Sequence, residues 1–286
     1  MADSDASTYP KVVRNTIVRY KPRGAYDFAT IHSIVNSAPV IHVSFSTPDE
    51  SDPFPAVLPM LGFMGSFDNQ NAPLSEPLDL YIHGYVSSRL MRLGKAPPGE
   101  EEGLPLTVAA THMDGLVLAL TPNNHSYNYR SAILHGYATV VEELDEKMWA
   151  MEKITNNVLS DRWENSRVPP TKTEMTSTQI LKVRIVDASA KIRSGPPGED
   201  RADLKNEELR LKTWVGVVPT WTAYGEPVAS ADNKVAKVRS STHLEDEIVG
   251  GGKTNIHQVP EYISGYIKKE NEAGKKTAEL AILGKK

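Results

Sequence analysis

Strand-like runs recur along the first 220 or so residues of this chain without the regular strand–helix alternation that builds a parallel sheet, and that pattern constrains the fold more than any motif. Residues 40–45 (VIHVSF) and 56–63 (AVLPMLGF) are rich in β-branched and apolar side chains, and 78–85 (LDLYIHGY) alternates as a half-buried strand does. Residues 105–120, 129–141, 180–192 and 213–219 continue the series. Pro59 belongs on an edge strand or at a bulge, because proline has no N–H to give to a ladder. Asp114-Gly115, set between two apolar segments, is a hairpin dipeptide.

Helical stretches are few. Residues 27–38 place Phe28, Ile31, Ile34 and Val35 at helical spacing behind Asp27, an N-cap residue. Residues 86–93 (VSSRLMRL) open on a serine pair, and 142–163 carry a stripe of Leu144, Met148, Met151, Ile154 and Leu159 beneath an acidic first turn. Brief helices are expected at 207–211 and 260–270, and a surface loop at 167–178. About seven strands and so few helices predict a mainly β fold, an antiparallel barrel or sandwich with flanking helices. Three segments follow: a flexible tail over 1–13, a barrel domain over 14–228, and an extension over 229–286, flexible around the triple glycine at 250–252 and partly helical.

Charge and residue usage narrow the function. A net charge of −4 offers no general footprint for nucleic acid or an anionic membrane. Without cysteine, thiolate metal sites and thiol nucleophiles are excluded. The N-terminus lacks the apolar core of a secretory signal and no run approaches the ~20 apolar residues of a membrane span, so the expectation is a cytoplasmic protein. Neither GxGxxG, a P-loop nor a GxSxG elbow occurs.

Two stretches carry candidate chemistry. In residues 83–89 (HGYVSSR) a strand ends in glycine and passes two hydroxyls and a guanidinium into a helix start, which suits a phosphate; the plain reading is a Ser87 cap beside a solvated Arg89. Residues 124–136 (NHSYNYRSAILHG) set Arg130 and Ser131 among Tyr127 and Tyr129 at a strand mouth, either a pocket for an anion and a ring or cross-strand packing pairs. His83, His112, His125 and His135 lack HxxxH or HExxH spacing, which favours hydrogen-bonding roles; a histidine-ligated haem is the remaining metal reading. Trp214 beside Gly216 is either a core indole or a cover for a flat group.

In order, RGAYDFATIHSIVNSAPVIHVSF, PAVLPMLGF, LYIHGYVSSRLMR, THMDGLVLAL, HSYNYRSAILHGYATVVEELDEK, SAKIRSGPPGED and TWVGVVP resemble the flavin-nucleotide-binding, nitroimidazole-resistance-like branch of the pyridoxamine 5′-phosphate oxidase-like superfamily. The resemblance spans roughly residues 14–228. It implies an FMN-binding split barrel, a homodimer with FMN at the subunit interface. It implies that Val57, Leu58 and Pro59 present backbone to the isoalloxazine and that His83, Ser87, Ser88 and Arg89 approach the phosphate. Tyr129, Arg130 and Ser131 would line the same pocket, with Trp214 near the ring from either subunit. The arginine-and-histidine signature by which pyridoxamine phosphate oxidases end is missing: the strand after Trp214 runs into PTWTAYGEPVAS. The expectation is an FMN-dependent oxidoreductase passing hydride to or from an unidentified small molecule, with NADPH or NADH as donor and no identified catalytic acid or base. The alternative is a non-enzymatic haem- or flavin-binding split barrel.

Overall fold

The computed structural model describes residues 7–47, 51–95, 103–235 and 259–284. Along the chain run β1 (Gly24–Ala25), α1 (Phe28–Asn36), β2 (Ile41–Phe45), β3 (Ala56–Met60), β4 (Gly62–Gly65), β5 (Asp79–Tyr85), α2 (Arg89–Leu93), β6 (Leu104–Leu118) and β7 (Ser126–Val140). They are followed by α3 (Leu144–Val158), α4 (Lys172–Ser177), β8 (Thr178–Arg193), α5 (Arg201–Leu204), α6 (Glu207–Lys212), β9 (Gly216–Pro219) and α7 (Glu261–Ile282).

All the strand pairings are antiparallel, in the order β3-β2-β6-β7-β8-β5-β4, with β1 on β8 and β9 on β6. Residues 56–63 form two strands rather than one, because β3 pairs with β2 while β4 pairs with β5 at the other end of the order. Leu61 therefore carries the chain across the split of the barrel. Pro59 lies on an end strand, where its missing donor costs no ladder bond.

Alternation sends Val43, Leu80, Ile82, Leu134 and Val183 inward, where Ile31 and Val35 of α1 plug the interior. Asp27 caps α1 by accepting from the Thr30 N–H at 2.9 Å. A second layer forms where α3 lays Trp149 on Tyr81, ring centroids 5.0 Å apart, over the outside of β4 and β5.

Several expectations are corrected. Asp114-Gly115 makes no hairpin: β6 runs through it with a bulge between Met113 and Gly115. A Cβ at Gly115 would lie 2.9 Å from Val217, so the glycine admits β9 alongside β6 instead. The loop at 167–178 contains α4, closed by a Thr171–Glu174 capping box. Within the expected tail, Tyr9 is buried and its hydroxyl meets His32 Nε2 at 2.7 Å. The last helix is much longer than 260–270, and the triple glycine lies outside the described residues. Among the described residues no helix is long and apolar enough to cross a membrane.

Candidate functional site on the open face of the barrel

Beyond the cover of α3, the outer face of β3, β2, β6 and β7 is half-buried to exposed among the described residues. Val57 is 56% exposed, and Met113, Tyr127 and Ile133 are exposed on the same sheet. Register brings one row of side chains across this face: Val57 opposes Ser44, Ser44 opposes Thr107, Thr107 opposes His135, and His135 opposes Asp187. Alternation turns this row outward, because the neighbours Val43, Val108 and Leu134 fill the core.

The row is held from one end. Asp187 is 1% exposed, and the N-terminal segment crosses over it. Arg14 Nε donates to its Oδ2 at 2.8 Å and Asn15 Nδ2 to its Oδ1 at 3.1 Å, so the buried carboxylate is matched in charge and hydrogen bonds. Beside it, His135 Nδ1 lies 2.9 Å from Thr107 Oγ1. Burial lowers the His135 pKa, with Asp187 opposing and Arg14 reinforcing the shift, so the imidazole is neutral near pH 7. A cavity of about 380 Å³ opens over the row, lined among others by Arg14, Ser44, Pro55, Pro105, His135 and Tyr137.

Phe45, which also lines the cavity, joins it to a second feature. The Arg89 guanidinium lies 5.8 Å from the Phe45 ring, and Phe45 is the register partner of Ala56 at the head of β3. Arg89 and Ser87 are exposed, and Arg89 makes no ion pair among the described residues. Ser88, not Ser87, holds the N-cap position, and its hydroxyl makes no capping bond. The helix that follows has five residues, too short to lend much dipole, so side-chain donors are what this turn offers an anion.

A family model described as pyridoxamine 5′-phosphate oxidase matches residues 27–192, more than half of the 286-residue chain. The chain belongs to the pyridoxamine 5′-phosphate oxidase family. The flavocytochrome Anf3 from Azotobacter vinelandii has the same split-barrel fold, with a TM-score of 0.62 and 24% identity over 82% of this chain and 94% of its own. The FAD and haem binding protein from Mycobacterium smegmatis aligns with a TM-score of 0.61 and 23% identity over 86% of this chain and 97% of its own. No curated protein matches the chain significantly.

Within this family member the sequence-derived residues fall into separate groups. Val57 and Pro59 face outward on β3 and Leu58 packs against the core, while Arg89 of the Ser87–Ser88–Arg89 turn comes near the head of the strand through the Phe45 ring. Among the described residues β3 pairs with β2 alone, so its other edge has no strand partner there. Tyr129 and Ser131 share the outer face further along β7, and Ser131 Oγ donates to the Lys191 carbonyl at 3.2 Å.

Arg130 is a correction. Alternation puts it on the core-facing side with Ala132 and Leu134, and it donates through Nε and Nη2 to both oxygens of Asp114, each at 2.9 Å. It therefore does not share the outer face of β7 with Tyr129 and Ser131. His83 shares a face with Tyr81 beneath the α3 layer; burial lowers its pKa, and its Nδ1 is buried without a hydrogen-bond partner.

Trp214 is 65% exposed and lies over Gly216, where a Cβ would sit 2.6 Å from its ring. It borders another cavity of about 600 Å³, with Glu199, Arg210 and Leu211. β9 begins beside Leu118, eleven residues along β6 from Thr107, roughly 35 Å at strand rise. Within one chain, then, Trp214 is remote from β3.

The residues that sequence reading missed are Arg14, Ser44, Thr107 and Asp187. Each is an ordinary polar residue in its own strand or loop. The available signal was weak: one outward polar position in each of three strands, which only the register aligns.

Proposed function

We propose that this chain is a flavin-binding redox protein whose flavin lies along the open edge of β3 with its phosphate at Ser87, Ser88 and Arg89. The observation that carries this reading is the juxtaposition of a guanidinium without an ion pair among the described residues and the head of an edge strand, linked through Phe45. Arg89 can give parallel N–H donors to phosphate oxygens, and the two serine hydroxyls add to them. The outward backbone of Val57–Leu58–Pro59 suits a flat polar ring. Bound there, a flavin supplies hydride and single-electron chemistry; the protein's residues bind it, orient it and limit its contact with water.

FAD and haem are favoured over FMN alone, since the two solved structures named above are described as a flavocytochrome and as an FAD and haem binding protein. This supports a flavin- and haem-carrying barrel over an oxidase of one small substrate. A small-molecule substrate with NADPH or NADH as donor remains the reading in which the protein is an enzyme. Association of two copies belongs to the proposal: it gives the exposed sheet face a cover, and it lets Trp214 of one copy approach β3 of the other.

The absorbance spectrum of the purified protein tests the reading, with the released cofactor identified by mass. Flavin bands with FAD in the extract are expected. A colourless protein that takes up neither FAD nor FMN overturns it.

A further inference from the structure

We propose that His135 is the axial ligand of a haem seated in the cavity over the Ser44–Thr107–His135 row. The inference rests on the flavin- and haem-carrying reading above, and it is reached by asking which imidazole is free and oriented to bind iron. A ligating histidine presents a neutral ring nitrogen to the metal while its other nitrogen is held by a hydrogen bond that fixes tautomer and orientation.

The six described histidines differ sharply on this test. Both nitrogens of His32 are engaged, by Tyr9 and by the Leu74 carbonyl. His112 Nε2 is held, 3.1 Å from the Ile34 carbonyl and 3.2 Å from Ser37 Oγ, but its side chain lines neither of the two cavities. His125 Nδ1 accepts the Ala119 N–H at 2.9 Å, which puts the proton of its neutral ring on Nε2, the nitrogen that would have to bind iron. His83 has a buried Nδ1 that nothing holds. His42 is exposed on the outer face with neither nitrogen anchored. His135 combines an Nδ1 held by Thr107 Oγ1 at 2.9 Å with an Nε2 that has no hydrogen-bond partner among the described residues, and its side chain lines a cavity.

The surroundings suit a haem. Pro55, Pro105 and Tyr137 give apolar and aromatic walls for a macrocycle, and Arg14 puts a half-exposed guanidinium at the rim for a propionate. Its bond to Asp187 anchors Arg14 there, as Arg–carboxylate pairs hold a guanidinium in a fixed plane. The cleft opens to solvent, so one edge of the macrocycle would stand outside it. His135 on β7 is three strand spacings from β3, roughly 14 Å, and the cavity reaches Pro55 and Phe45 beside the head of β3, so the two groups would be neighbours on this face.

The test is titration of the purified full-length protein with haemin, followed by absorbance and by electron paramagnetic resonance of the ferric form. The wild type should give one saturable site with a histidine-ligated Soret band. His135→Gly should lose that band, and added imidazole should restore it. Thr107→Val should weaken haemin binding about tenfold or more, the range for loss of the group that orients a ligand. His42→Ala should match the wild type. A His135→Gly protein with the wild-type spectrum and affinity overturns the assignment, and so does a wild type that takes up no haemin. Flavin content of the same samples separates the two readings: flavin bands without a Soret band sink only the haem site, whereas absence of both sinks the flavin reading as well.

Discussion

Arg130 grips Asp114 through two parallel hydrogen bonds of 2.9 Å on the core-facing side of β7, while Tyr129 and Ser131 on either side of it face outward. The pair ties the bulge of β6 to the adjacent strand, since Asp114 is the residue that the bulge leaves unpaired between Met113 and Gly115. Its role is to hold the barrel's shape.

Arg130→Ala should accordingly destabilise the protein by about 3 kcal/mol, because it strands a carboxylate whose side chain is only 7% exposed. Flavin content per folded molecule should not change. Urea unfolding with flavin quantified in the native fraction checks both halves, and selective loss of flavin at unchanged stability would return Arg130 to the binding site.

Arg89→Ala should do the opposite. The side chain is exposed and unpaired among the described residues, so the unfolding midpoint should hardly move. Losing a charge-assisted contact to phosphate, about 1.5–3 kcal/mol, should lower flavin affinity at least tenfold. Arg89→Lys should recover only part of it, since an ammonium cannot form the parallel pair of bonds. Fluorescence titration of the apoprotein with FAD measures all three.

His32 makes the fold sensitive to acid. Burial lowers its pKa to about 4, against the opposing pull of the Leu74 carbonyl and Asp27, so the folded protein keeps the ring neutral where an unfolded chain would protonate it. Between pH 6.5 and 4 the unfolded state binds more protons, and stability falls as the pH falls. From pH 7 to pH 5 the loss should be about 2 kcal/mol. Denaturant midpoints at the two pH values test this, and a His32→Gln variant should show a smaller drop over the same interval.

Asn128 should control the docking of α7. It is fully buried, accepts from Arg193, and donates to the carbonyls of Gly195 and Ala281, each at 3.2 Å. Asn128→Leu removes three hydrogen bonds, each worth about 0.5–1.5 kcal/mol, while the Gly195 N–H still holds the Ala281 carbonyl at 2.7 Å. Faster amide exchange through the last turns of α7, with the barrel strands still protected, is the expected outcome. Uniform exchange across the whole molecule would instead mean that helix and barrel unfold as one unit.

The sequence by itself determined what is local. β-Branched alternation located most of the strands, Asp27 marked the start of α1, Pro59 demanded an edge, and the order of the segments pointed to the family. The site was legible only in part: the Ser87–Arg89 turn could be read as an anion site, yet its neighbour across the barrel could not.

Tertiary structure decided which face each residue takes and what it meets there. A strand's side chains alternate with a period of two, so Tyr129, Arg130 and Ser131, contiguous in sequence, do not share one face of the sheet. A bulge or a one-residue change of register reverses that assignment, and register is fixed by pairing between segments far apart in the chain. For the same reason Asp114-Gly115 turned out to be a bulge that admits β9, and Ser44, Thr107, His135 and Asp187 became one row. No single strand encodes that row; it exists because four distant segments pair in one register.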